Sequence, residues 1–178
     1  MSSVMTANEL LRLNLSERRT ELVRGQLIVR EPPGFRHGTV ANRLSFAITS
    51  HVIANQLGLV LAAETGFTLF RNPDTVRAPD VAYVSGARVP DPLPKGFAEM
   101  APDLAVEVLS PDDRPGEVLE KVADWLKAGC RLVWVVDPER RLARIYRADG
   151  SEAHMTHEGS LEGEDVLPGF RQPLAEFV

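Results

Sequence analysis

The chain is short of lysine, cysteine and aromatic rings, and each shortage closes something off. Only three lysines occur, Lys95, Lys121 and Lys127, so arginine carries nearly all of the positive charge. The single cysteine, Cys130, leaves no disulfide framework and no cysteine-based zinc site, which fits a reducing cytoplasm. No apolar run approaches the roughly 20 residues of a membrane span, so no membrane partner is expected. The opening MSSVMTANELLRL has neither the basic start nor the long apolar core of a secretory leader. Repeats, low-complexity tracts and linkers are also missing, so 178 residues read as one domain, 1–178, with a substantial core.

Acid is missing from one long stretch. Between Pro32 and Ala63 there is no Asp or Glu, while Arg36, His37, Arg43 and His51 lie inside it. The net charge of −5 hides this asymmetry: residues 1–80 carry 9 Lys+Arg against 7 Asp+Glu, and residues 81–178 carry 11 against 18. The acidic total argues against non-specific coating of nucleic acid. The acid-free stretch is nevertheless what a phosphate backbone needs, although a partly buried helix with a polar edge explains it too.

What is present is a mixed α/β pattern. TANELLRL opens with Thr6 and Glu9 in capping-box spacing, predicting a short helix from about Ala7. TELVRGQLIVREPP alternates around Gly25 as a hairpin. A long helix follows, with Val40, Leu44, Ala47, Ile48 and Ile53 at core spacing and its end at Gly58. Strands are expected at LVLAAETGFTLF, APDVAYV and DLAVEVLS, then a helix at GEVLEKVADWLKAG with Val118, Val122, Trp125 and Leu126 as its buried stripe. RLVWVVD and LARIYRAD are strands joined by a turn, and DVLPGFRQPLAEFV is a short strand and an end turn packed on the core. The fold expected is a central mixed sheet with helices on its faces. The helix between AVEVLS and LVWVVD acts as a right-handed crossover, making those two strands parallel.

Two acids sit inside strand patterns. Glu107 stands among Leu104, Val106, Val108 and Leu109, where an uncompensated carboxylate costs several kcal/mol. Asp80 opens APDVAYV. The dipeptide Pro-Asp is uninformative alone, since it recurs at Pro73-Asp74, Pro102-Asp103 and Pro111-Asp112 among other places. Asp103 lies on the Glu107 strand, but four residues at ~3.3 Å each put the two about 13 Å apart. Ligands of one Mg²⁺ must each lie ~2.1 Å from it, so that pair cannot share a metal. Asp74 belongs to a turn. Asp80 can meet Glu107 if their strands are neighbours, and a hard Mg²⁺ or Mn²⁺ would relieve the repulsion between the two carboxylates. A turn cap at Asp80 and an arginine partner for Glu107 account for the same residues without a metal.

APDVAYV with Asp80, PDLAVEVLSP with Glu107, the helix EVLEKVADWLKAG and LVWVVDPERR together resemble the Uma2 family of endonucleases, of the PD-(D/E)xK superfamily. The likeness runs from ELVRGQLI to LPGF. It implies a restriction-endonuclease-like core, a Mg²⁺ (or Mn²⁺) ion bound by Asp80 and Glu107 with the Val108 carbonyl, and hydrolysis of DNA. A homodimer is expected of an enzyme that must cut two strands. The superfamily's lysine two residues after the acid is replaced by Leu109. The resemblance therefore implies a migrated lysine, Lys121, which lies at the edge of the helix's apolar stripe; pairing with Glu117 at i, i+4 is the plain alternative. Glu21 matches a family glutamate that would hold a metal-bound water or second ion, against a solvated hairpin end. His37 matches the family's histidine at the start of the long helix, where it would touch a phosphate or orient Glu21. A non-catalytic nucleic-acid- or protein-binding module and a small-molecule phosphodiester hydrolase remain as other functions.

Overall fold

A computed structural model describes residues 4–13 and 19–178. Helix α1 (Ala7–Arg12) begins with the expected capping box: the Thr6 hydroxyl accepts from the Glu9 N–H, and the Glu9 carboxylate accepts from the Thr6 N–H at 2.7 Å. Strands β1 (Arg19–Val23) and β2 (Gln26–Arg30) form the hairpin. Its two-residue turn, Arg24-Gly25, has positive φ at both positions, which suits the right-handed twist of the flanking strands.

Helix α2 (Phe35–Asn55) starts two residues before His37 and stops short of Gly58. Gln56 ends it in the left-handed region. Gly58 instead opens strand β3 (Gly58–Ala62), at φ 146°, where a Cβ would stand 2.2 Å from the Val84 carbonyl oxygen. The glycine serves a close strand approach rather than a helix end. The core face of α2 is His37, Val40, Leu44, Ile48 and Val52. Ile53, expected in that face, is 71% exposed, and its neighbour Val52 takes the buried position.

Strands β4 (Phe67–Phe70) and β5 (Thr75–Arg77) complete a small sheet ordered β2-β1-β5-β4. The main sheet uses β6 (Val81–Ser85), β7 (Leu104–Val108), β8 (Leu132–Asp137), β9 (Leu142–Arg147) and β10 (Glu152–Thr156) in the order β10-β9-β8-β7-β6-β3. Helix α3 (Pro115–Lys127) makes the crossover from β7 to β8, and these two strands are parallel as expected. The other pairings in the sheet are antiparallel. Strands β11 (Ser160–Glu162) and β12 (Arg171–Pro173) pair with each other, and a final 3-10 turn buries Leu174.

Both faces of the main sheet are covered, which is why β7 and β8 are buried at every residue. One face packs Leu104, Val106 and Trp134 against the α2 stripe and the C-terminal Phe170, Leu174 and Phe177. The other packs Ala105, Val133 and Val135 against Val122 and Trp125 of α3. Leu44→Ala, at a fully buried point of the first layer, should lower unfolding free energy by ~2–5 kcal/mol. Ile53→Ser should change it by no more than about 0.5 kcal/mol, both read from urea melts.

Candidate active site

Strands β6 and β7 run antiparallel with Val81 opposite Val106, which carries Asp80, one residue before β6, opposite Glu107. The Asp80 N–H donates to the Val106 carbonyl at 3.0 Å, and the Val108 N–H donates to Asp80 Oδ2 at 2.7 Å. These bonds fix the two acids at the floor of an open cleft of about 530 Å³. Glu107 is 7% exposed, so the strand does bury a carboxylate.

Its partners come from α3. Lys121 Nζ donates to Glu107 Oε2 at 2.8 Å, and Trp125 Nε1 donates to Glu107 Oε1 at 2.8 Å. One helical turn separates those donors, so a single face of α3 grips both carboxylate oxygens. The same ammonium meets Glu21 Oε1 at 3.0 Å and the Ala78 carbonyl at 3.2 Å. The surface pairing of Lys121 with Glu117 does not occur; Glu117 bonds Arg30 instead.

Glu21 is buried, not at a solvated hairpin end. It accepts from the Ala78 N–H at 3.0 Å and from Arg77 Nη1 at 3.1 Å. Arg77 also reaches Asp124 Oδ2 on α3 through Nη2 at 2.6 Å and Nε at 3.0 Å. His37 sits in the first turn of α2 with Nε2 3.3 Å from Asp80 Oδ2, so it faces Asp80. Arg19 Nη2 donates to Asp80 Oδ1 at 2.8 Å. The structure thus gathers Asp80, Glu107, Lys121, Glu21, His37 and the Val108 backbone into one place. Asp103 lies apart, held by the Ser85 N–H and Arg88, and Asp74 caps α1 through the Ala7 N–H.

Four participants do not read as site residues in the sequence: Arg19, Arg77, Asp124, and Trp125, which the sequence places only in the buried stripe of α3. Arg19 had a signal, since it stands two residues before Glu21 and shares its side of β1. Asp124 carries no such signal in the sequence, and Arg77 of β5 holds it in the interior.

The electrostatics sort the acids. Burial raises the Glu107 carboxyl, Lys121 opposes that, and nearby Asp80 and Glu21 add to it, leaving it pushed up to about 7. Burial would raise Asp80 as well, but the His37 hydrogen bond, Lys121 and Arg19 together hold it below the ordinary range. Glu21 behaves likewise, with Lys121 and Arg77 outweighing burial. Burial would lower the Lys121 ammonium, yet Glu107, Glu21 and Asp80 hold it above its ordinary value, so it stays charged.

The Glu107 shift has a sign that melting can read. Between its ordinary 4.5 and about 7, the native state binds more protons than the unfolded chain, so stability falls as pH rises through that window. Asp80 and Glu21, both lowered, act only at acid pH, where their contribution is lost as pH falls. Thermal melts of the metal-free protein between about pH 5 and 8 should show a downward slope that Glu107→Gln flattens.

The donor chemistry fits a hard divalent cation. Asp80 and Glu107 offer oxygens from adjacent strands, and Val108, whose N–H points at Asp80, turns its carbonyl to the same side of β7. Among the described residues no three His, Cys, Asp or Glu side chains form a ready cage, so water would complete the shell, as Mg²⁺ prefers.

The molecule is thus a mixed α/β fold with an acid pair at the end of two neighbouring strands of its main sheet. A crystal structure of "a putative nuclease belonging to DUF820" from Anabaena variabilis ATCC 29413 matches it with a TM-score of 0.85, covering 97% of each chain at 20% identity. The sequence matches the Uma2 family, described as "Putative restriction endonuclease", over residues 7–175, and the chain belongs to that family. No curated protein matches. Among the described residues, no helix is long and apolar enough to cross a membrane.

Proposed function

We propose that the protein is a divalent-metal-dependent endonuclease that hydrolyses DNA phosphodiester bonds. One observation carries this reading: Asp80 and Glu107 stand opposite each other on adjacent strands, buried at the floor of an open cleft, with Lys121 on Glu107. Asp80, Glu107 and the Val108 carbonyl would hold Mg²⁺ or Mn²⁺. When bound, the ion supplies Lewis-acid polarisation of the phosphate and a more acidic water.

The chain's own groups do the rest. Lys121, held by Glu107, Glu21 and the Ala78 carbonyl, keeps a fixed positive charge that orients the attacking water and offsets charge developing on the scissile phosphate. Trp125 fixes the Glu107 carboxylate in the plane that Lys121 needs. His37 and the Val108 N–H hold Asp80. Glu21 positions Lys121 from its far side. The acid-free α2 lines the cleft through His37 in its first turn, while Glu31, Glu64, Asp112, Asp113 and Glu117 also line it, so a phosphate backbone would enter beside carboxylates that a bound cation must offset.

A homodimer is part of the proposal, because cutting both strands takes two such sites. Calorimetric titration of Mn²⁺ into the metal-free protein tests the metal, with heat expected from the wild type and none from Asp80→Ala. Wild-type protein that takes up no Mn²⁺ would leave a binding module as the better account. Cleavage of duplex DNA and of small phosphodiesters, compared on the same preparation, tests the substrate.

A further inference from the structure

Asp80 has three partners in the cleft, as Glu21 does, and those of Asp80 differ in kind. The Val108 N–H and His37 hold Oδ2 from the interior. Arg19 holds Oδ1 from the cleft wall, with its side chain 21% exposed. Its Nε lies 3.4 Å from Glu64, whose side chain is 55% exposed on the turn between β3 and β4. One guanidinium therefore bridges a buried carboxylate and a carboxylate at the rim.

A divalent ion using Asp80 from the cleft meets an oxygen that Arg19 already occupies. Two cations at contact distance of one oxygen repel each other, which weakens the hold of the one that is less pinned. Lys121 has nowhere to go, being pinned by Glu107, Glu21 and the Ala78 carbonyl. Arg19 has Glu64.

We infer that Arg19 is a latch on Asp80. It is the counter-ion of Asp80 in the metal-free protein, yields Oδ1 when a divalent cation enters, and then presents its guanidinium, tethered by Glu64, to a substrate phosphate. This rests on the metal reading of Asp80 and Glu107. Arginine suits both positions, since its planar fork matches carboxylate and phosphate alike and never loses its charge. If Arg19 acted only through its charge, Arg19→Lys, which keeps the charge, would bind Mn²⁺ as wild type does; a latch needs the fork that bridges Asp80 and Glu64, so Arg19→Lys should bind more tightly than wild type.

The test is Mn²⁺ calorimetry on the full chain. A latch closed about 90% of the time weakens apparent affinity about tenfold, so Arg19→Gln should bind Mn²⁺ about tenfold tighter than wild type. Arg19→Lys should fall between them, which keeps the test open if Arg19→Gln does not fold. Glu64→Gln removes the alternative resting place and should weaken Mn²⁺ binding. Melting should show metal-free Arg19→Gln below wild type, with the gap closing in saturating Mn²⁺. At that saturation the KM of Arg19→Gln for duplex DNA should rise, opposite in sense to its metal affinity. Mn²⁺ binding by Arg19→Lys equal to or weaker than that of wild type overturns the latch and leaves the metal reading intact. Absence of Mn²⁺ binding in wild type and variants alike overturns both.

Discussion

On the proposed function, Glu107→Gln should leave the protein folded and lower DNA cleavage in Mg²⁺ by at least about 10²–10³ in rate, by analogy with removal of one charge-stabilising group. The amide oxygen can still accept from Trp125, so the shape of the site survives. What disappears is the negative charge that Lys121 pairs with and that the proposed metal would use. Stability at neutral pH should change little, because the relief of a carboxyl that burial pushes up to about 7 opposes the loss of the charge that holds the Lys121 ammonium above its ordinary value. Asp80→Asn should lower cleavage equally but also destabilise, since Asp80 lies below the ordinary range and its charge is favourable in the fold. Cleavage assays paired with melting curves separate the two. Wild-type cleavage in either variant would mean that the activity belongs to a contaminant or another site.

The second large effect is structural. Arg77→Ala should cost ~3–5 kcal/mol, because it leaves Glu21 and Asp124 buried without the guanidinium they share. In a chain of this size that is a fall of about 10 °C or more in melting temperature. Arg77→Lys keeps the charge but loses the fork that spans β1 and α3, so it should lie between wild type and alanine. Urea denaturation with a constant slope is the measurement. A cost below about 1 kcal/mol for Arg77→Ala would show that water reaches the two acids.

The acid pair was legible for a simple reason. An acid inside a run of strand residues contradicts its surroundings, and 3.3 Å per residue is enough to reject Asp103 as the partner of Glu107. The parallel β7–β8 pair was legible from the helix between them. The triad around Arg77 was not, because each member alone looks like surface: Glu21 at a hairpin end, Arg77 two residues before a proline, Asp124 one residue before a core tryptophan. Only the docking of α3 over the β1–β5 sheet makes them interior. β5 and β11 are three residues long, too short to show alternation, and β10 is an edge strand with few apolar positions. Ile53 and Val52 are adjacent on α2, and which one turns inward depends on the rotation of the helix against the sheet.

The route by which the site is stitched together also bears on how the chain reaches its native state. Lys121 joins Glu107 to Glu21, and Arg77 joins Glu21 to Asp124, so contacts in a single cluster close chain segments of very different length. Closing such long loops is entropically slow and is rewarded only when every partner has arrived. Until then Asp80, Glu107 and Glu21 gain nothing from one another and repel if brought close. The cluster should therefore form after the sheet, which φ-values near zero for substitutions at Lys121 and Arg77, beside higher values in β7 and β8, would show.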